Sequence, residues 1–302
     1  MKPDEMAQTF MNLHRSQVVE GLFLSSGIVA GGINTQDRLI DTAEILRNKY
    51  GYRDYLHLKI MPGAEKAQVE RAMQLADRVS VNLEAPNTER LNRLAPHKAF
   101  LEELLQPLRW IQEIRQNESP SRGWNGRWPS SVTQFVAGGS GESDLELLST
   151  TEFLYNQLGL RRAYFSAFHP VPDTPLENQP PTPDQREYRL YQSSFLLRDY
   201  GFSLEDLPFD RSGNLPTGLD PKLAWAQVNL ANNPIDINLA SPQELLRVPG
   251  FGPKSVKAIL RFRHQASLKD LSDLRKIGVV TNRAAPFILL NGSRPAYQPS
   301  LL

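Results

Sequence analysis

Gly250-Phe251-Gly252-Pro253-Lys254-Ser255-Val256-Lys257 brings together the residue types that hold a phosphate. Two glycines let the backbone turn sharply and approach an anion closely. Pro253 suits the first position of a helix, so the N–H groups that open it have no partner in the helix and point past the turn. Lys254 and Lys257 place positive charge there, with Ser255 between them, and Phe251 is suited to packing between the two flanking helices. Upstream, Ser241 is a candidate N-cap, Pro242 follows it and Glu244 lies three residues on, which is a capping box. The candidate nucleic-acid-binding residues are therefore Gly250, Phe251, Gly252, Lys254, Ser255 and Lys257. A turn of this kind grips the backbone of either strand and offers affinity without base specificity. The alternative is a helical hairpin that needs two glycines only for packing.

The charge balance agrees with a polyanion partner. The 302 residues carry a net +1, but residues 231–302 hold ten Lys and Arg against four Asp and Glu, a balance of +6, and the rest of the chain is −5. A solvated basic face would give the same count. Hydrophobic residues make up 40% of the chain, enough for a substantial core. No run of eighteen apolar residues exists and the first twenty residues carry acids, so neither a membrane span nor a signal peptide is expected, and a cytoplasmic location is the default. There is no cysteine, which excludes disulfides, thiol catalysis and thiolate-held metals. The five histidines, His14, His57, His97, His169 and His264, have no metal-ligand spacing and read as surface or hydrogen-bonded residues.

The elements that must position these groups fall into three stretches. Residues 1–183 alternate between helical and strand patterns. Helices are expected over 3–16, 35–50 (with Thr35 as N-cap), 64–76, 100–117 and 144–158. Strands are expected over 18–25, 55–60, 78–83, 132–137 and 163–168. Such alternation predicts a parallel sheet with right-handed crossovers, open or barrel-like. Residues 170–183 contain six prolines and form an extended exit. Residues 184–230 are a helical and turn-rich connection, and 231–302 a small helical domain. A second copy of the hairpin is expected there: 269–276, a turn at Ile277-Gly278-Val279-Val280, and 281–290. It lacks the second glycine, so its role is structural.

The strand ends carry a resemblance. GLFLSSGI, YLHLKIMPGAE, SVNLEAPN, FVAGGSGESDLELL and YFSAFHPVPDTPL occur in that order. Together they resemble strands two to six of a radical S-adenosylmethionine barrel. The hairpin resembles the helix-hairpin-helix of DNA-binding proteins. The combination is similar to radical S-adenosylmethionine proteins associated with DNA modification or repair, over nearly the whole chain. The implied fold class is α/β: a partial (β/α) barrel lacking its first strand, plus a small all-α helix-hairpin-helix domain.

The resemblance implies that Ser25, Ser26 and Gly27 meet the methionine end of S-adenosylmethionine. Asn82 and Glu84 would face its ribose and sulfonium side, and Gly138, Gly139, Gly141 and Glu142 its adenine. Ligands of parallel α/β sheets do bind beyond the carboxyl ends of the strands. Read one at a time, Ser-Ser-Gly and Gly-Gly-Ser-Gly are also plain strand-to-helix turns. Lys59 could line the pocket or extend outward at its rim, and is left out of the site.

The family also needs a CxxxCxxC loop holding a 4Fe–4S cluster, which this chain alone cannot bind. The expectation is that the first strand and that loop are missing from a native protein or supplied by another chain. The stretch 18–25 would then be an exposed sheet edge. Three functions stay open. One is a DNA- or RNA-acting radical enzyme seen without its cluster segment. The second is a non-catalytic nucleic-acid-binding remnant. The third is a base-excision glycosylase, with Lys254 as nucleophile and Asp270 or Asp273 as its carboxylate.

Overall fold

The computed structural model describes residues 1–28 and 31–296. The chain divides into two compact units. One contains residues 1–142 and 153–182, the other residues 143–152 and 183–302.

The first unit is mixed α/β. In chain order it contains α1 (Pro3–Arg15), β1 (Leu22–Leu24), α2 (Gly32–Glu44), β2 (Leu56–Lys59), α3 (Lys66–Leu75), β3 (Arg78–Ser80), α4 (Thr88–Leu94), α5 (Gln106–Asn117), β4 (Ser130–Ala137), α6 (Asp144–Leu158, whose first half belongs to the second unit) and β5 (Arg162–Ala167). Short π-helical turns extend α2 to Lys49 and precede α5 from Phe100. The five strands are all parallel and lie in sheet order β1-β2-β3-β4-β5. Among the described residues no further strand pairs with β1 or β5.

Strand alternation sorts the two faces. Leu56, Leu58, Val79, Phe135, Ala163 and Phe165 are buried on one of them. Their core is completed by the apolar sides of α3 (Val69, Ala72, Met73) and α5 (Leu108, Ile111, Ile114). His57, Lys59, Gln134, Tyr164 and Ser166 alternate with the buried set and are half-buried. Parallel sheets are usually apolar on both faces; this one has a polar face.

A buried cation ties the strand starts together. Arg47 donates to the carbonyls of Leu75, Tyr52 and Asp54 and pairs with Asp77 at 3.0 Å. Asp77 also accepts from Leu56 N at 3.0 Å.

Several sequence expectations are corrected. The first strand is three residues long, because Val18 is two-thirds exposed and no pairing begins before Leu22. Thr35 is not the N-cap of α2. That position belongs to Gly31, and the Thr35 hydroxyl donates to the Gly31 carbonyl from inside the first turn. Helix α4 was not expected; Asn87 caps it by accepting from Arg90 N. His57 is not hydrogen-bonded: its Nε2 is shielded without a partner, its ring lies 4.3 Å from that of Phe23, and burial pulls its pKa down to about 4.

The second unit contains α7 (Asp184–Asp199), α8 (Pro221–Asn229), β6 (Ile235–Asp236), α9 (Pro242–Arg247), α10 (Pro253–Arg263), α11 (Leu271–Lys276) and β7 (Ile288–Leu289). Its core gathers Ile237, Leu245, Val248, Phe251, Ile259, Leu268, Leu274 and Ile288. The region from residue 231 on is not all-α, because β6 and β7 pair in parallel. The expected second hairpin does not form its second helix. After α11 and the turn at Gly278 (φ 78°), the chain makes one 3₁₀ turn at Ala285–Phe287 and goes straight into β7. Pro286 cannot donate in a longer helix, and Ile288 is taken up by pairing with Ile235. Among the described residues no helix is long and apolar enough to cross a membrane.

Candidate nucleic-acid interface

Helix α9 starts as its sequence dictates. Ser241 Oγ accepts from Glu244 N at 3.2 Å, and Glu244 Oε2 accepts from Ser241 N at 2.7 Å. These bonds hold the Glu244 carboxylate below its ordinary pKa. The helix ends at Arg247, and Phe251 N closes the turn on the Val248 carbonyl at 3.0 Å. Gly250 has φ 86°, and a Cβ there would lie 3.3 Å from the Val280 carbonyl. Only glycine adopts this turn without strain. Gly252 is extended (φ −114°) and is the N-cap of α10; a Cβ on it would meet Tyr200 Oη at 3.3 Å. Phe251 is fully buried between the helices.

The N–H groups of Lys254 and Ser255 make no hydrogen bond among the described residues, as expected for the first turn of a helix. Lys254 and Lys257 are exposed and carry no ion pair. Arg261 shares these properties and was missed by the sequence reading. The signal was available, since 254, 257 and 261 repeat at i, i+3 and i+7, one side of a helix. The result is a line of three unpaired cations running from open N–H groups along α10. Other cations of this region are committed: Arg247 pairs with Asp206 at 2.8 Å, and Arg263 donates to the Ala240 carbonyl.

A buried lysine supports the turn from behind. Lys222 Nζ, on α8, donates to the Phe251 carbonyl at 2.5 Å and lies 4.6 Å from the Tyr200 ring. Burial lowers its pKa to about 7, against the pull of Asp220. Asp270 and Asp273, the carboxylates considered for a glycosylase, are engaged in capping. Asp270 accepts from Ser272 N and Asp273 N, and Asp273 accepts from Lys269 N. These bonds keep both carboxylates below their ordinary pKa values, which is the opposite of a poised base.

In the first unit, Ser26, Gly27, Asn82 and Glu84 line one cavity of about 230 Å³ beyond the carboxyl ends of β1, β2 and β3. Lys59 and Lys98 line it as well, and Lys98 Nζ is 3.4 Å from Glu84 Oε1. Glu84 holds φ 64°, fixed by backbone bonds to Gln134 O and from Val136 N. Ser25 lines a neighbouring cleft with Met6, Thr35 and Arg38, and Ser26 lines both. Gly138, Gly139, Gly141 and Glu142 do not line the Asn82–Glu84 cavity. They build the turn after β4. The Glu142 carboxylate accepts from Gly138 N, Ser140 N and Ser140 Oγ, and a Cβ on Gly139 would lie 2.9 Å from Leu94 Cδ1.

An iron–sulfur cluster does not fit the residues present. The chain has no cysteine, and among the described residues no group of three His, Asp or Glu could hold a metal ion.

Residues 231–285 match the family described as the helix-hairpin-helix motif. The match spans β6 to α11 and includes the Gly250–Gly252 turn. No curated protein matches the chain.

Proposed function

We propose that this chain binds nucleic acid, DNA in the first place, by holding the phosphate backbone at the Gly250–Gly252 turn and along α10. The observation that carries the reading is the line from the open N–H groups of Lys254 and Ser255 through the unpaired Lys254, Lys257 and Arg261. Backbone amides at a helix start and a row of cations are what a phosphate chain requires, and neither reads base identity. The family match over the same residues supports it. The test is fluorescence anisotropy with a labelled DNA duplex. Gly252→Val, which crowds Tyr200, and Lys254→Glu, which reverses a charge, are each expected to weaken binding several-fold on every sequence. Unchanged affinity in both variants would refute the reading.

The resemblance to DNA-modifying radical S-adenosylmethionine proteins adds a second reading for the first unit. What supports it is the shared cavity of Ser26, Gly27, Asn82 and Glu84 at the strand ends. The cavity of about 230 Å³ would take the amino-acid end and ribose of S-adenosylmethionine, whose sulfonium is reactive, and leave the adenine outside. Ser26 and Gly27 would receive the amino-acid end, and Asn82 and Glu84, the latter paired with Lys98, would hydrogen-bond the ribose. With no ligands for a cluster in this chain, no radical step is derived. Calorimetry decides it: heat of binding that disappears in Glu84→Gln and Asn82→Ala supports the site, and no heat with the unaltered chain removes it.

A further inference from the structure

Beside the hairpin turn the second unit has an open cavity of about 330 Å³. Part of its wall comes from α7, α8 and the adjoining Tyr200 and Asp220, outside the residues that match the hairpin family, and part from Gly250, Phe251, Gly252 and Arg283, within them. One side is apolar and aromatic, made of Phe195, Leu196 and Tyr200. The other is a network already held in place. Asp220 accepts from Gln192 Nε2 at 3.0 Å and from Leu223 N at 2.9 Å, and pairs with Arg283 at 3.2 Å. Gln192 Oε1 in turn accepts from Arg189. Donors remain for a ligand. Lys222 uses one N–H on the Phe251 carbonyl, and the Tyr200 hydroxyl has no hydrogen-bond partner among the described residues.

These walls carry Lys222 and Arg283 beside Asp220, whose charge Arg283 already balances, and suit a flat, neutral ring. A phosphate in the cavity would sit against the Asp220 carboxylate. Aromatic rings near fixed donors, with Arg198 over Phe195 at 5.1 Å and Lys222 over Tyr200 at 4.6 Å, suit a group with a π-face and carbonyl or ring-nitrogen acceptors on its edge. The volume is at the low end of small-molecule sites, which run from roughly 300 to 1,000 Å³, room for one heterocycle rather than a nucleotide. Gly250 and Gly252 belong both to the turn and to the cavity wall. A base is one sugar away from its phosphate, so a nucleotide gripped at the turn has its base within reach of the cavity.

We infer that this cavity receives a single unstacked nucleobase from the strand whose backbone the turn holds. The inference rests on the hairpin reading above and adds to it a preference for nucleic acid with an unpaired base. Base–aromatic stacking is strong enough to be read directly.

The test compares the full chain on two labelled DNA duplexes, one fully paired and one with a single bulged nucleotide. The bulged duplex is expected to bind about tenfold tighter. Phe195→Ala is expected to lower the bulged duplex to the paired value while paired affinity stays the same, which also shows that the variant is folded. As a second measurement, 2-aminopurine at the bulge changes fluorescence on binding to the unaltered chain. Equal affinity for both duplexes, a preference retained by Phe195→Ala, or an unresponsive 2-aminopurine overturns the base pocket and leaves the hairpin reading standing. Failure of the unaltered chain to bind either duplex overturns both.

Discussion

Replacing Lys254, Lys257 and Arg261 together by Gln is expected to flatten the salt dependence of DNA binding without disturbing the fold. All three side chains are exposed, none has an ion pair to lose, and Gly250, Phe251 and Gly252 stay in place. Each phosphate neutralised contributes about 0.9 to the slope of log K against log salt, so losing three contacts makes that slope shallower by about 2.7. Over a fourfold rise in salt, the unaltered chain should then lose about 40-fold more affinity than the triple variant. Anisotropy titrations at several salt concentrations measure both slopes. If they are equal, these cations do not touch phosphate, and the row along α10 is only a solvated face.

Two further predictions concern stability. Lys222 is neutral in the folded chain above about pH 7, whereas in the unfolded chain it stays charged to about pH 10.5. The unfolded state therefore binds more protons between those values, and this residue makes stability rise with pH, by about 2 kcal/mol from pH 7 to pH 9. Urea unfolding across that range should show the rise in the unaltered chain and not in Lys222→Met; parallel profiles would refute it. Asp77→Ala leaves Arg47 buried without its counter-ion and Leu56 N without its acceptor. A cost of about 3–5 kcal/mol is expected, read as a lowered Tm. A variant as stable as the parent would show that the carbonyls of Leu75, Tyr52 and Asp54 satisfy Arg47 unaided.

The hairpin was legible because everything that makes it is local. The Ser241 cap, Glu244, both prolines and the two glycines act within about a dozen residues, so spacing alone predicts α9, the turn and the start of α10. The parallel strands were legible for the same reason: each is a short apolar or β-branched run stopped by glycine, proline or polar residues. The second hairpin copy shows where local reading ends. Residues 281–290 had no strong helix start, and pairing of Ile288 with Ile235 across more than fifty residues decided their conformation.

The candidate sites divide along the same line. The resemblance implies that Ser25, Ser26, Gly27, Asn82 and Glu84 share one ligand, and the fold brings all of these but Ser25 to one cavity. Lys59, which the strand pattern leaves open between pocket and rim, lines it too, and Lys98 joins them through packing with no signal in spacing. Gly138, Gly139, Gly141 and Glu142 look the same in sequence as a ligand loop. In the fold the Glu142 carboxylate bonds back to Ser140, Gly139 packs on Leu94 and Gly141 is exposed, and none of the four lines that cavity. The cavity beside the turn needed the tertiary structure entirely. Phe195, Tyr200, Asp220, Lys222 and Arg283 are spread over some ninety residues, and only the packing of α7 and α8 against the Phe251 turn makes them neighbours. What the sequence determined by itself was therefore the local chemistry, a turn able to hold phosphate and strands able to form a parallel sheet. The tertiary structure decided which side chains share a space, because burial, ion pairing and cavity shape depend on contacts between residues far apart in the chain.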